Sequence, residues 1–127
     1  MDKLNIDEAD AYTTKDSSEI RELLAYRNSS IRNQSLAEAR LAPGLSTTPH
    51  RHRQSEEIYF ILMGEGLMQV GEDQQPVKTG DAIGIPPGQW HQISNTSTGT
   101  LRFLCCCTPP YEHEDTDLTT RSDAFKT

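Results

Sequence analysis

From Ser35 onward, glycine and proline recur at intervals too short for long helices, and they separate runs of residues that favour strands. The clearest run is 57–62 (EIYFIL), whose aromatic and β-branched residues suit a pleated, half-buried surface. Similar runs occupy 36–41, 67–70, 81–85, 90–94 and 101–107, with 71–76 and 95–100 predicted as turns or loops. Short strands with frequent turn signals predict an all-β sandwich or barrel.

The 127 residues suffice for one hydrophobic core and not for two. We therefore predict a single barrel domain over 17–110, preceded by an N-terminal arm (1–16) and followed by a polar C-terminal tail (111–127). That tail is acidic and mostly polar, so we expect it to be mobile unless something pins it.

Residues 17–26 (SSEIRELLAY) fit two structures. Ile20, Leu23 and Leu24 have helical spacing, and Asp16 with Glu19 could form a capping box. An alternating pattern of Ile20 and Leu24 around Glu22 supports a strand instead. The residues by themselves slightly favour the helix.

Composition argues against several classes of protein. Twelve basic and nineteen acidic side chains give a net charge of −7, which disfavours binding to a phosphate backbone. The longest apolar run, 58–63, is too short to cross a membrane, and no signal segment is visible, so we expect a cytoplasmic protein. The three cysteines, Cys105, Cys106 and Cys107, are consecutive and lack the spacing of a zinc knuckle, so we expect reduced cysteines that serve packing.

Three histidines and one glutamate form the chemically most informative set. His50 and His52 are two residues apart, so both leave the same face of an extended segment. Glu57 shares one face of the next strand with Tyr59 and Ile61, whereas Glu56 should point outward. His91 follows a rigid Pro-Pro-Gly turn that could bring it to the others. Nitrogen-rich ligands with one carboxylate predict a site for divalent iron, manganese, nickel, copper or zinc.

The two segments that carry these residues resemble the two signature motifs of the cupin superfamily. The first motif, G-x5-H-x-H-x3,4-E-x6-G, is met at Gly44, His50, His52, Glu57 and Gly64. The second motif, G-x5-P-x-G-x2-H-x3-N, is met at Gly80, Pro86, Gly88, His91 and Asn95.

This resemblance implies a small single-domain cupin of the bacterial type, similar to the catalytic domain of mannose-6-phosphate isomerase-type members. It implies a double-stranded β-helix, or jelly-roll barrel, with the metal held by His50, His52, Glu57 and His91. It also implies a strand in place of the helix over 17–26, and a homodimer.

Two classes of function remain open from the sequence. The first is a metal-dependent enzyme, isomerase-like or dioxygenase-like, that acts on a small polar metabolite. The second is a non-catalytic module that binds a metal or a small ligand. Tyr59 is a weak candidate for positioning a substrate and Arg40 a weaker one for binding an anion, whereas His113 could act only if the tail folds back. No second carboxylate is clearly inward-facing, so no general acid or base is assigned.

Overall fold

A computed structural model describes residues 1–119 and Phe125. The described residues form eleven strands and two short 3-10 turns, Ile6–Glu8 and His113–Asp115. The strands are β1 (Ala11–Thr13), β2 (Glu19–Leu24), β3 (Ser35–Leu41), β4 (His50–His52), β5 (Glu56–Met63), β6 (Glu65–Val70), β7 (Asp73–Lys78), β8 (Ala82–Ile85), β9 (His91–Asn95), β10 (Leu101–Thr108) and β11 (Thr116–Leu118). The all-β prediction is confirmed.

The strands pair antiparallel in two sheets that enclose the core. One sheet has six strands in the order β1-β2-β3-β10-β5-β8, and the other has five in the order β11-β4-β9-β6-β7. Apolar side chains from both sheets meet between them, among them Ile61 and Phe103 from the first and Met68 and Ile93 from the second. Two facing sheets with non-sequential neighbours are the barrel that the sequence predicts.

Alternation along β5 separates the interior from the surface as predicted. Glu57, Tyr59 and Ile61 are buried, and Ile58 and Phe60 between them are exposed. Because successive side chains of a strand point to opposite faces, one strand can deliver a carboxylate, a phenol and an aliphatic side chain to the interior in turn.

The helix that the residues of 17–26 slightly favour is wrong, and the strand implied by the family resemblance is confirmed. β2 pairs with both β1 and β3, and these contacts outweigh a weak local preference. Asp16 does not cap a helix. Its Oδ1 accepts hydrogen bonds from the Ser18 amide (2.9 Å) and the Ser18 hydroxyl (2.6 Å), which shape the turn between β1 and β2.

The turn predicted over 71–76 is also wrong beyond its first two residues. Val70 pairs with Asp73 across a two-residue turn, and β7 continues from there to Lys78. Gly71 takes a positive φ of 56°, which suits a tight hairpin turn. Pro76 is tolerated in β7 because, among the described strands, β7 lies at the edge of its sheet and pairs with β6 alone.

Residues 111–119 lie against the barrel. β11 pairs antiparallel with β4, with Thr116 opposite His52 and Leu118 opposite His50. The Asp115 carboxylate accepts hydrogen bonds from the backbone amides of Gln54 (2.9 Å) and Ser55 (3.1 Å). The rest of the predicted mobile tail, 120–127 apart from Phe125, lies outside the described residues, and the predicted domain limits stay a prediction. No helix in the described part of the chain is long and apolar enough to cross a membrane.

Candidate metal centre

The four predicted ligands meet inside the barrel. One ligand atom from each of His50, His52, Glu57 and His91 lies within 4.8 Å of the others, and all four residues are buried. His50 and His52 come from β4, and His91 from the neighbouring strand β9, where it stands opposite His50. Glu57 reaches the cluster from β5 in the other sheet. The cluster therefore depends on both sheets being in place.

A backbone hydrogen bond connects the turn before His91 to β4, the strand that carries His50 and His52. The Gly88 amide donates to the His52 carbonyl over 2.7 Å. Gly88 has a φ of 78°, a conformation that glycine adopts readily and residues with a Cβ rarely do. The positive φ explains why the second motif places a glycine three residues before its histidine.

Hydrogen bonds at Nδ1 fix the tautomers of His50 and His91. His50 Nδ1 lies 2.8 Å from the Thr48 carbonyl oxygen, and His91 Nδ1 lies 3.0 Å from that of Gln89. A carbonyl oxygen only accepts hydrogen bonds, so both Nδ1 atoms carry the hydrogen. In the neutral rings, each Nε2 is then left with a free lone pair.

Thr116 fixes the third ring in the same way. His52 Nδ1 lies 3.0 Å from Thr116 Oγ1, whose own hydroxyl donates to the Glu112 carbonyl over 3.0 Å. The hydroxyl hydrogen is thus already used, so His52 Nδ1–H is the donor and His52 Nε2 keeps the lone pair in the neutral ring. Partners of this kind at the second nitrogen are typical of metal-ligating histidines.

The lone pairs of His52 Nε2 and His91 Nε2 face the same carboxylate oxygen. Glu57 Oε1 lies 3.2 Å from His52 Nε2 and 3.4 Å from His91 Nε2. Glu57 Oε1 and His91 Nε2 are buried and find no hydrogen-bond partner in the part of the chain that the structure describes. Buried acceptors that face one another are costly unless a cation lies between them. A metal ion satisfies all of them, and in its absence a proton can satisfy one pair.

The pKa shifts indicate which side chain of the cluster carries that proton: His52 favours it, whereas Glu57 and His50 do not. Burial alone would raise the pKa of Glu57, but the ring nitrogens of His52 and His91 outweigh it and hold this pKa below its usual range. Burial opposes charge on His52, yet the adjacent Glu57 carboxylate raises the pKa of His52 above its ordinary value. Burial, reinforced by His91, lowers the pKa of His50 to about 4.

Cys107 supports Glu57 from the neighbouring strand. Its Sγ lies 3.2 Å from Glu57 Oε2, so the thiol donates to the carboxylate oxygen that does not face the histidines. Burial and the nearby Glu57 charge raise the pKa of Cys107, which keeps the thiol protonated and able to donate. All three cysteines are free, as the sequence predicts.

A cavity that opens to solvent leads to the cluster, and His50, His52 and Glu57 are part of its wall. Tyr59 lies in its wall beside His91, with ring centroids 5.9 Å apart, and its role in substrate positioning stays a prediction. Arg40 does not line the cavity, so the anion-binding role considered for it is wrong. Its Nε instead donates to Glu38 over 2.6 Å. His113 is exposed and outside the cavity wall, with its Nδ1 3.2 Å from the Tyr111 hydroxyl.

Sequence reasoning missed a second carboxylate in the cavity. Asp16 is only 8% exposed, and its Oδ2 lies 3.3 Å from His50 Nε2. The hairpin between β1 and β2 aims this side chain inward, with Ser17 at a positive φ of 79°. The Thr48 amide also donates to the Asp16 carbonyl over 2.7 Å. The Asp-Ser-Ser turn signal becomes informative only once 17–26 is assigned as a strand.

Tyr111 and Thr116 were missed as well, because both belong to the segment expected to be a mobile tail. Tyr111 lines the cavity, and its hydroxyl lies 3.1 Å from Thr14 Oγ1. Its ring stands edge-on to His52 with centroids 5.7 Å apart. Segments from before and after the two motifs therefore meet at the mouth of the cavity.

The sequence of this chain is similar to those of several known proteins. The profile of the family described as Cupin domain matches residues 37–107. An uncharacterized protein of Methanocaldococcus jannaschii is 47% identical over 116 residues, which cover 91% of this chain and 93% of that protein. An oxalate-binding protein of Thermotoga maritima is 40% identical over 68 residues, and the match spans 54% of this chain and 56% of that protein.

Two solved structures extend the comparison. A predicted oxalate decarboxylase from Thermotoga maritima superposes with a TM-score of 0.75 at 28% identity, covering 86% of this chain and 99% of that one. The polyketide cyclase RemF from Streptomyces resistomycificus gives a TM-score of 0.79 at 22% identity, covering 99% and 91% respectively. The second likeness shows the fold alone. The expected similarity to sugar-phosphate isomerases gains no support from these proteins.

Proposed function

Because this chain belongs to the cupin family, we propose that it binds a divalent first-row transition metal and works as a metal-dependent enzyme on a small oxygenated metabolite. The ligands are His50, His52, Glu57 and His91. The observation that carries the proposal is the pair of buried acceptors Glu57 Oε1 and His91 Nε2, which have no hydrogen-bond partner among the described residues. A fold that buries such atoms gains stability from a bound cation.

The metal would supply electrophilic chemistry at the inner end of the cavity. Four protein ligands leave coordination positions free on an octahedral ion, where it can polarise an oxygen of a bound molecule. The donor set suits iron, manganese, nickel, copper and zinc, and selection among them depends on geometry and supply. The chain's own residues hold the ion, while Tyr59, Tyr111 and Asp16 shape the space beside it.

A non-catalytic ligand-binding module is the second candidate. One relative, 40% identical over about half of either chain, is described as oxalate-binding rather than as an enzyme. A binder needs a metal and a cavity but no group that moves protons. The two candidates differ in one respect: an enzyme converts its ligand and a binder returns it unchanged.

Metal content tests the ligand set first. Protein purified without an affinity tag is assayed by elemental analysis beside His91→Ala, with His113→Ala as the matched control. His113 is exposed and outside the cavity, so its loss should leave the metal content unchanged. We expect near-stoichiometric metal in the parent and control proteins and loss in His91→Ala. A parent protein that neither contains nor takes up metal would overturn the proposal.

Ligand recovery then separates enzyme from binder. Metal-loaded protein is incubated with candidate oxygenated metabolites, with oxygen uptake recorded for the iron form and isomer exchange for the zinc and manganese forms. Conversion that disappears in His91→Ala supports the enzyme. A ligand that shifts the melting temperature and is recovered unchanged supports the binder.

A homodimer completes the proposal. The outer apolar patch, defined as Leu36, Ile58, Phe60, Leu104 and Cys106, lies on the outer face of the six-stranded sheet, with these residues opposite one another in the ladder. Ile58 is 53% and Phe60 39% exposed. Apolar surface of this kind favours a protein partner, and we propose a second copy of the chain. Light scattering of Ile58→Lys tests it: a variant with the parent's mass would contradict the patch as the interface.

The other partners follow from charge. A net charge of −7 disfavours nucleic acid and acidic membrane surfaces, so the proposed partners are a small molecule and a second copy. We propose a cytoplasmic location, where the three free thiols would stay reduced.

A further inference from the structure

The charge of the cavity depends on more than the four ligands. A divalent ion held by three neutral imidazoles and one carboxylate would keep a net charge of about +1, which attracts anions. In this chain a second carboxylate, Asp16, faces the same centre, with Oδ2 3.3 Å from His50 Nε2. Since His50 Nε2 carries a lone pair in the neutral ring, Asp16 adds another acceptor to the group that needs a cation.

Hydrogen bonds fix both the backbone and the carboxylate of Asp16. Ser18 donates two hydrogen bonds to Oδ1, and these leave Oδ2 as the atom directed at His50. The Asp16 carbonyl is tied to the Thr48 amide, two residues before His50. The side chain is 11% exposed, so water screens its charge weakly. Its negative charge therefore acts on whatever occupies the cavity.

The cavity wall formed by the described residues contains no lysine or arginine that could offset this charge. Its two histidines, His50 and His52, would be neutral as metal ligands. The one further carboxylate in the wall, Glu22, is paired at the rim with Arg27, with Oε1 3.1 Å from Nη1. The two buried carboxylates, Asp16 and Glu57, thus balance the two charges of the metal.

We propose that Asp16 determines ligand selectivity by making the metal-loaded cavity electrically neutral, so that it accepts uncharged molecules and disfavours anions such as oxalate or sugar phosphates. This inference rests on the proposed metal-dependent function and narrows its substrate class. An anion entering the cavity brings an unbalanced charge into a poorly solvated space, which a neutral molecule does not.

The side chains of the cavity wall indicate which other chemical groups such a ligand has. Ile20, Ala37, Ala39 and Phe103 give the cavity an apolar side, and Tyr12 and Tyr111 add aromatic rings. The ligand class is thus a neutral molecule with a hydroxyl or carbonyl oxygen for the metal and an apolar or aromatic face. The relative described as oxalate-binding would differ from this chain in the charge of its ligand.

Substitutions that remove the negative charge of Asp16 test the proposal. Asp16→Asn removes the charge and keeps the acceptor for Ser18, and Asp16→Ala removes it without adding an amide that could bind His50. Glu22→Gln removes a carboxylate that Arg27 already offsets, so it should act weakly. Asp73→Asn changes the net charge equally at the exposed start of β7, outside the cavity wall, and serves as the matched control. Metal content is measured first for every protein.

The affinity of each cobalt-loaded protein for small probe molecules is measured at about pH 8 from changes in the visible spectrum of the ion. No assay of activity is needed. The probes are azide against imidazole, and benzoate against benzamide, each pair matching an anion with a neutral molecule. We expect the parent to bind the neutral probe of each pair at least as tightly. In either Asp16 variant, the affinity for the anions should rise by roughly tenfold or more, and the affinity for the neutral probes should change by less than about threefold.

The proposal would be overturned by a parent protein that prefers the anions, by Asp16 variants that do not bind the anions more tightly, or by a parent whose spectrum responds to none of the probes. A parent that takes up no cobalt would instead show that the proposed metal-dependent function has failed, and the proposal with it. Equal tightening by Asp73→Asn would assign the effect to net charge and not to Asp16.

Discussion

The interior of the barrel has two halves that share strands β5 and β9 and are stabilised in different ways. The metal half contains His50, His52, Glu57 and His91, and the apolar half contains the buried aliphatic and aromatic residues Ile61, Met68, Ile93, Leu101 and Phe103. β5 contributes Glu57 to one half and Ile61 to the other, and β9 contributes His91 and then Ile93. The apolar half gains stability from burial alone, whereas the metal half buries acceptors that only a cation satisfies. Stability and metal binding should therefore be separable by substitution.

Ile61→Ala tests the apolar half and should have the largest effect. Ile61 is fully buried in the core, so truncation leaves a cavity and lowers the free energy of unfolding by about 2–5 kcal/mol. Urea unfolding with and without metal measures it. We expect the same loss in both conditions and an unchanged metal affinity of the folded protein. A loss confined to the metal-loaded protein would show that the two halves are coupled.

Glu57→Gln tests the metal half from the same strand. It preserves side-chain size but removes the charge on which the histidine nitrogens converge. Metal affinity should fall by at least about a hundredfold, or about 3 kcal/mol, as measured by competition with a chelator. The extra stability that metal confers on the parent should shrink accordingly. Metal binding at the parent's affinity would remove Glu57 from the ligand set.

Thr116→Val tests the hydrogen bond behind His52. The variant keeps the shape of the side chain and removes the acceptor of His52 Nδ1–H, so we expect about a 10–100-fold loss of metal affinity. Thr98→Val, in an exposed loop, is the control. If only the unfolding free energy changed, Thr116 would be a structural residue of β11 with no part in orienting the ligand.

Lowering the pH should have the smallest effect, and its sign is fixed by His52. Its pKa is raised in the metal-free protein, so below that pKa a metal must displace a proton and apparent affinity falls as the pH falls. His50, with a pKa lowered to about 4, stays neutral and adds no such competition above about pH 5. We expect a loss of about tenfold or more between pH 8 and pH 5 by isothermal titration. Equal affinities would contradict the ligand set.

The sequence predicts the metal half better than its surroundings. The spacing of His50 and His52 and the alternation along β5 are local patterns, and the family resemblance adds His91. The structure brings these residues and Glu57 together, as expected. Asp16 and Thr116 reach the site through contacts with residues 34 and 64 positions away, and no local pattern records such contacts. β7 was missed for another reason. A proline argues against a central strand, and only the assembled sheet shows that this strand is at an edge.

The pairing of β4 with β11 has a consequence for how the chain is made. β11 is synthesised more than sixty residues after β4, because Thr116 follows His52 by 64 positions. Until then, the edge of β4 that β11 will cover has no partner within the chain, and an open edge of this kind can pair with a strand from a neighbouring nascent chain. Residues that complete a binding site late in synthesis would thus also protect its histidine-bearing strand from aggregation.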